Sequence, residues 1–304
     1  MKRMHFLLLA VMVGVTLSPP AMATFRIFAC EPEWAALARE IGGDKVDAFS
    51  ATHARQDPHH IRARPSLIAR IRRADLVVCS GAGLEAGWLP LLMQRGAKSG
   101  VQPGQSGYLM AADFVSVLEK PAIIDRSLGD VHPEGNPHVH LEPENILRVA
   151  RTLTGRLTAL DPSNAGHYRQ RIAIFEAEWT VRLAAWKIRI TRLTGMAVIV
   201  HHKSFSYLIN WIGLSEIGSL EVKPGVPPTA GHLNTLLRLA RAQRVRAILR
   251  TPYAPSEQSA WLSDKTGIHA IILPCTVSKD AGPGALAALF DHTLTLLEKA
   301  HAGS

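Results

Sequence analysis

Cysteine is scarce in this chain. Three residues in 304, Cys30, Cys79 and Cys275, are too few for a scaffold that relies on disulfides in place of a core. Long apolar runs are scarce as well. The one unbroken run, Phe6 to Leu17, is shorter than the roughly 20 residues needed to span a bilayer, and nothing after it reads as a membrane helix. No cysteine follows that run directly, which argues against a lipid-anchored start. The formal net charge of +9 raises the question of nucleic acid. Arg and Lys are scattered along helices, however, with no aromatic-basic stripe, so a solvated basic surface favouring an anionic membrane face is the better reading. A His-Glu-x-x-His helix is absent, and no internal repeat with residue identity is visible.

At the start of the chain, Lys2 and Arg3 precede the apolar run, and Pro19-Pro20 leads into Ala21-Met22-Ala23, a small-x-small cleavage pattern. Residues 1–23 therefore read as an export signal, Thr24 as the first mature residue and the periplasm as the destination. About 280 residues remain, enough for one large domain or two lobes. Cys30 and Cys79 each end a strand-like run and read as small buried hydrophobes, with a bridge between them left open in case the two strands are neighbours.

Strands alternate with helices at both ends of the chain. Arg26–Ala29, Val46–Phe49 and Asp75–Cys79 read as strands, and helices start at Pro32 and Pro65. The same alternation returns with strands at Ala197–Val200, Val245–Leu249 and Ala270–Leu273. Such a pattern implies mostly parallel sheets covered on both faces. Between the two halves, Tyr168, Ile172, Phe175, Trp179, Leu183, Trp186, Ile190 and Leu193 recur every three or four residues. They predict a helix of about 30 residues with one apolar stripe, a rigid strut between lobes. The expected organisation is a first α/β lobe over 24–160, a connecting helix over 161–194 and a second α/β lobe over 195–304.

Fourteen histidines are many for this length, and several fall in turns after strands. Three stretches stand out: Asp57-Pro58-His59-His60, Asn136-Pro137-His138-Val139-His140 and His201-His202-Lys203-Ser204-Phe205-Ser206-Tyr207. Loops at the carboxyl ends of parallel strands are where α/β lobes hold ligands. The first two stretches belong to one lobe and the third to the other, so a shared ion would lie in the cleft between them. Neutral imidazoles with few carboxylates nearby suit Zn2+ in a tetrahedron, whereas Mn2+ calls for more oxygen.

These motifs resemble those of the cluster A-I (class III) solute-binding proteins of zinc and manganese ABC importers. The resemblance covers the whole mature chain. Asp57-Pro58-His59 with Pro65-Ser66, then Pro137-His138-Val139-His140-Leu141-Glu142-Pro143-Glu144-Asn145, then His202-Lys203-Ser204-Phe205-Ser206-Tyr207 match its three metal-site motifs in order. The resemblance implies two Rossmann-like lobes joined by one long rigid helix, with the metal in the inter-lobe cleft. It implies no enzymatic activity, Zn2+ as cargo (Mn2+ less favoured) and an inner-membrane ABC permease as partner, with the carrier a monomer. His59, His138 and His202 fall in the ligand registers, while His60, His140 and His201 fall where the family tolerates other residues.

One departure concerns the fourth ligand. The family's Leu-Asp-Pro turn reads Leu273-Pro274-Cys275 here, and its Glu-Pro reads Thr251-Pro252. Glu221, His132, Asp280, a water and, more weakly, Cys275 are the remaining candidates, with His140 also near the site. The family's long His/Asp-rich loop shrinks to Asp130-Val131-His132-Pro133-Glu134. Two rival readings are a zinc hydrolase or hydratase using three histidines and an activated water, and a periplasmic zinc chaperone.

Overall fold

The computed structural model describes residues 24–121, 132–223 and 225–303. The export signal read at 1–23, and Asp130-Val131, lie outside them. Two four-stranded sheets are built to the same plan. The first has the order β2 (Val46–Ser50), β1 (Phe25–Ala29), β3 (Leu76–Cys79), β4 (Tyr108–Met110). The second has the order β6 (Ser215–Ser219), β5 (Ala197–Val200), β7 (Ala247–Arg250), β8 (Ala270–Ile272). Every pairing is parallel. Central strands such as Leu-Val-Val-Cys in β3 are buried throughout, as expected when helices cover both faces. The strands that the sequence reading missed, β4 and β6, are edge strands. β4 (Tyr-Leu-Met) has only three residues, and β6 (Ser-Glu-Ile-Gly-Ser) is mostly polar, so one is too short and the other too polar to read as a strand.

Helices α1 (Pro32–Gly42), α2 (Pro65–Ile71) and α3 (Leu89–Gly96) belong to the first lobe, and α4 (Pro143–Leu160) ends it. Each has a proline in its first turn, where the missing N–H costs nothing. The connecting helix α5 spans Ala165–Ile190, 26 residues rather than about 30. A 3-10 turn over Pro162–Asn164 precedes it, and the chain loosens into turns after Ile190. Its stripe behaves as the periodicity demands: Tyr168, Phe175, Trp179 and Trp186 are buried, and Ile172, Leu183 and Ile190 pack against the same core.

That core is shared by both lobes, running from Ile27 and Trp34 through α5 to Leu249, Phe290 and Leu297. Trp179 donates its indole N–H to Pro143 O at 3.0 Å, binding α5 to α4. Trp186 donates to Asp291 Oδ1 at 2.7 Å and packs on Phe290, with ring centroids 5.2 Å apart, which binds it to α9 (Ala285–Ala302). The second lobe is completed by α6 (Ser206–Ile212), α7 (Ala230–Ala242) and α8 (Glu257–Thr266).

The structure resolves the cysteine alternatives. β1 and β3 are neighbours, and Cys30 and Cys79 are joined by a disulfide with Cα atoms 4.8 Å apart, wholly buried. Cys275 is free and buried.

Because Trp186 fills the seam between α5 and α9 and satisfies its own indole N–H there, Trp186→Ala should cost about 3–5 kcal/mol of stability. Denaturant unfolding checks this. A loss under about 1 kcal/mol would show that the aromatic seam does not hold the helix.

Candidate metal centre

The carboxyl ends of the two sheets face one cleft, and each histidine stretch follows one of their strands. After β2, the turn at Asp57-Pro58 is tied down from outside by Trp88, whose indole N–H donates to Pro58 O at 3.0 Å. Asp57 Oδ1 accepts the backbone N–H of His59 at 3.0 Å and faces its ring Nδ1 at 2.7 Å. A carboxylate can only accept, so Nδ1 carries the proton and Nε2 presents its lone pair, towards His132 Nε2 at 3.1 Å. The same device recurs in the second lobe. His202, just beyond β5, donates from Nδ1 to Glu221 Oε2 at 2.9 Å, and the Gly225 N–H donates to that oxygen at 2.9 Å. Two imidazoles are thus oriented by two carboxylates.

His138 is held differently. Asn136 Oδ1 accepts its backbone N–H at 3.0 Å, while the Asn136 amide donates across the cleft to Lys203 O at 2.8 Å. Tyr207 adds a second tie, donating to Asn136 O at 2.8 Å. The His138 side chain is buried, 3 % exposed, and among the described residues its Nε2 has no hydrogen-bond partner. One ring nitrogen from each of His59, His138 and His202 lies within 4.8 Å of the others. Ring centroids stand 5.5 Å apart for His59 and His138, 5.8 Å for His59 and His202, and 6.3 Å for His138 and His202. A recess of about 90 Å³ reaches His59, His202, Glu221 and Tyr253.

Burial, followed by the neighbouring His59, His140 and His202, pushes the His138 ring well below the usual imidazole range, so it stays neutral and able to donate a lone pair. His132 is pushed down to about 4 by burial and by His59 and His202. Burial alone would raise Glu221, but hydrogen bonds from His201, His202 and Gly225 outweigh it and hold the carboxyl far below its ordinary range. Burial of Asp57 is likewise outweighed by its bonds to His59. The neutral His138 ring, with the ionised carboxylates of Asp57 and Glu221 nearby, makes a cation site.

The other candidates are placed as follows. Glu221 turns its carboxylate to His202 and His201 and is not among the converging ligand atoms. His140 Nε2 meets Cys275 O at 2.6 Å, while its buried Nδ1 lies 3.1 Å from Glu33 Oε1 without forming a hydrogen bond. His132 Nε2 lies 3.1 Å from His59 Nε2, at the rim of the site. Asp280 is away from the site, exposed beside Lys279 in a surface recess with Arg39 and Arg70, which removes it as a ligand candidate. The Cys275 thiol is pushed up to about 12, first by burial and then by Glu33, so it stays protonated. Leu273, at the family's acidic position, is fully buried. Asp57 and Asn136 were read only as members of the motifs, and their orienting roles were not assigned from the sequence. The signals available were an Asp two residues before His59 and an Asn two residues before His138, the spacing of Asx turns.

Comparison with known proteins decides the family. The model of the zinc-uptake complex component A periplasmic family matches residues 27–300. The chain belongs to that family. It is a metal-binding substrate-binding protein of an ABC importer, and its relatives are named for different metals. It is 22% identical over 217 residues to the manganese ABC transporter substrate-binding lipoprotein PsaA of Streptococcus pneumoniae, covering 70% of this chain and 67% of that one. It is 22% identical over 255 residues to the iron ABC transporter substrate-binding lipoprotein MtsA of Streptococcus pyogenes, covering 82% and 79%. The fold matches that of FpvC from Pseudomonas aeruginosa, solved in complex with Mn2+, with a TM-score of 0.77 at 21% identity over 92% of this chain and 99% of that one.

The shifted groups set a pH dependence. Unfolded imidazoles titrate near 6.5, whereas folded His132 does so near 4 and His138 is also depressed. At these two positions the unfolded state therefore binds more protons below about pH 6.5 than the folded one, and their contribution to stability is lost as pH drops towards about 4. Glu221 adds to the loss further down, since its depressed carboxyl stabilises the fold only while ionised. The raised carboxyls of buried Glu31 and Glu85, the latter at about 7, stabilise the fold as pH falls over the same range, so the histidine contribution is read by difference. From about pH 6.5 to pH 4.5 the melting temperature of the metal-free parent should fall relative to that of His132→Gln, and parallel profiles in the two proteins would contradict that contribution.

Proposed function

We propose that the chain captures Zn2+ in the periplasm through His59, His138 and His202 and passes it to an inner-membrane ABC permease, working as a monomer exported by residues 1–23. The reading takes residues 24–160 and 195–304 as the two lobes and 161–194 as the connector. One observation carries it: three loops from two lobes bring three imidazoles together around a buried His138 Nε2 that has nothing to bond. Zinc rather than manganese is favoured by the donor set. The two nearby carboxylates are occupied in orienting His59 and His202, so the atoms offered are nitrogen, which suits zinc better than an oxygen-seeking ion.

A tetrahedral zinc with bonds of about 2.0–2.1 Å holds its nitrogens about 3.3 Å apart. The His59 and His132 Nε2 atoms, 3.1 Å apart, already stand close to that spacing. His132 is accordingly a fourth-ligand candidate beside His59, but like Glu221 it is not among the ligand atoms that converge. Drawing the other rings in requires only small rotations of side chains already aimed at the cleft. Asp57 and Glu221, which could otherwise serve as a general base, are bound to imidazoles, so the geometry supports cargo capture over a zinc hydrolase or hydratase. Delivery to another periplasmic protein, as by a chaperone, would use the same site and differs only in the recipient.

Competition titration with a chromophoric chelator tests the reading. His59→Ala, His138→Ala and His202→Ala should each weaken Zn2+ binding by several orders of magnitude. Glu221→Gln should weaken it by about 10–100-fold, the usual loss when an orienting partner is removed. Unchanged affinity in the three alanine variants, or tighter binding of Mn2+ than of Zn2+ by the parent protein, would overturn it.

A further inference from the structure

The first lobe carries a basic face that the metal site does not use. Arg62, Arg64, Arg70, Arg72 and Arg73 lie on and beside α2, and Arg26 is the second residue of β1; all six are exposed. Leu67 and Ile71 anchor the opposite side of α2 in the core, which turns these arginines outward. Among the described residues, none of the six guanidinium groups forms an ion pair with a carboxylate. The nearby Asp75 is already taken by Lys98 at 2.9 Å and by the backbone N–H of Arg26 at 3.0 Å. Arg26, Arg70 and Arg73 share a recess of about 240 Å³ with Phe49, Phe28 and Asp47, the last its one carboxylate. The Arg70 guanidinium lies over the Phe49 ring, 4.8 Å from its centroid, which holds it flat at the recess wall.

Unpaired guanidinium groups on one face cost self-repulsion, and the helix could have carried glutamates at the same exposed positions. Arginine rather than lysine also matters: its planar fork pairs with phosphate oxygens two at a time. The recess has room for a phosphodiester group, and the arginines around it would meet its neighbours in a sheet of headgroups.

We propose that this arginine face docks the protein on anionic phospholipid headgroups, holding the carrier at the membrane surface. Each basic residue near such a surface adds a roughly equal increment of attraction that is screened by salt. Docking is independent of the metal reading, since none of the six residues touches the histidine site.

Flotation of the mature protein with vesicles tests it, using phosphatidylcholine alone and with about a third phosphatidylglycerol. Binding is expected only to the anionic vesicles and should vanish at high salt. Arg26→Gln/Arg70→Gln/Arg73→Gln, which removes the three arginines of the recess, should lower the partition coefficient at least about tenfold while Zn2+ affinity is unchanged. A control with the same charge change elsewhere, Arg192→Gln/Arg238→Gln/Arg244→Gln, should bind nearly as the parent does. Equal losses in both triple variants would mean that net charge alone is responsible, which overturns the face. Inorganic phosphate that displaces the protein when chloride of the same ionic strength does not would make the recess a free-anion site, and that also overturns docking. Equal binding to both kinds of vesicle would overturn it outright.

Discussion

A buried imidazole nitrogen with no hydrogen-bond partner is the constraint around which the cleft is arranged. Leaving a polar atom unsatisfied in the interior costs on the order of 1–3 kcal/mol, and folded chains rarely tolerate it without a use. His138 Nε2 is such an atom, and the surroundings keep it so. Burial keeps the ring neutral, Asn136 pins its backbone, and the two other imidazoles have their Nδ1 protons tied to carboxylates. All three rings are thereby left presenting lone pairs to one space. Water alone would be a poor occupant, since it would meet several acceptors and few donors. A cation satisfies them together.

The rest of the fold keeps that space assembled. His59 and His138 come from one lobe and His202 from the other, so the site exists only while the lobes hold their relation. The aromatic seam of α5 fixes that relation on one side of the molecule. On the other side Glu33, His140 and Arg39 reach across to Thr276, Cys275, Lys279 and Ala281. Asn136 and Glu119 join Lys203 at the mouth. With a core continuous through both lobes, wide hinge opening would break buried contacts at several points. Loading and release are therefore better served by small movements of the loops that carry the histidines than by separation of the lobes.

Much of this was legible in the residues. The period of three and four along α5 placed its buried face correctly, because an aromatic stripe that long has few other uses. Central strands were visible as short apolar runs. Strand β4 was not, because three residues are too few to stand out, nor was β6, because its Ser, Glu and Gly residues leave little hydrophobic signature. The three histidines brought together by the fold were read from motif and register, whereas the neighbours that orient them depend on which side chain faces which across the cleft. Glu221 illustrates the limit. In sequence it is an acid near a histidine and could be a ligand, while in space it lies against His202 Nδ1 and works through that ring. The Cys30–Cys79 bridge required knowing that β1 and β3 are adjacent, which the order of elements alone does not determine.

The central claim is that one ion is held by imidazole nitrogens drawn from both lobes. X-ray absorption at the zinc edge of the loaded protein tests it most directly. The account predicts a first shell of three or four nitrogens at about 2.0 Å, with the outer-shell scattering of imidazole rings and no sulfur. A shell dominated by carboxylate oxygens, or one with a sulfur at about 2.3 Å, would contradict it.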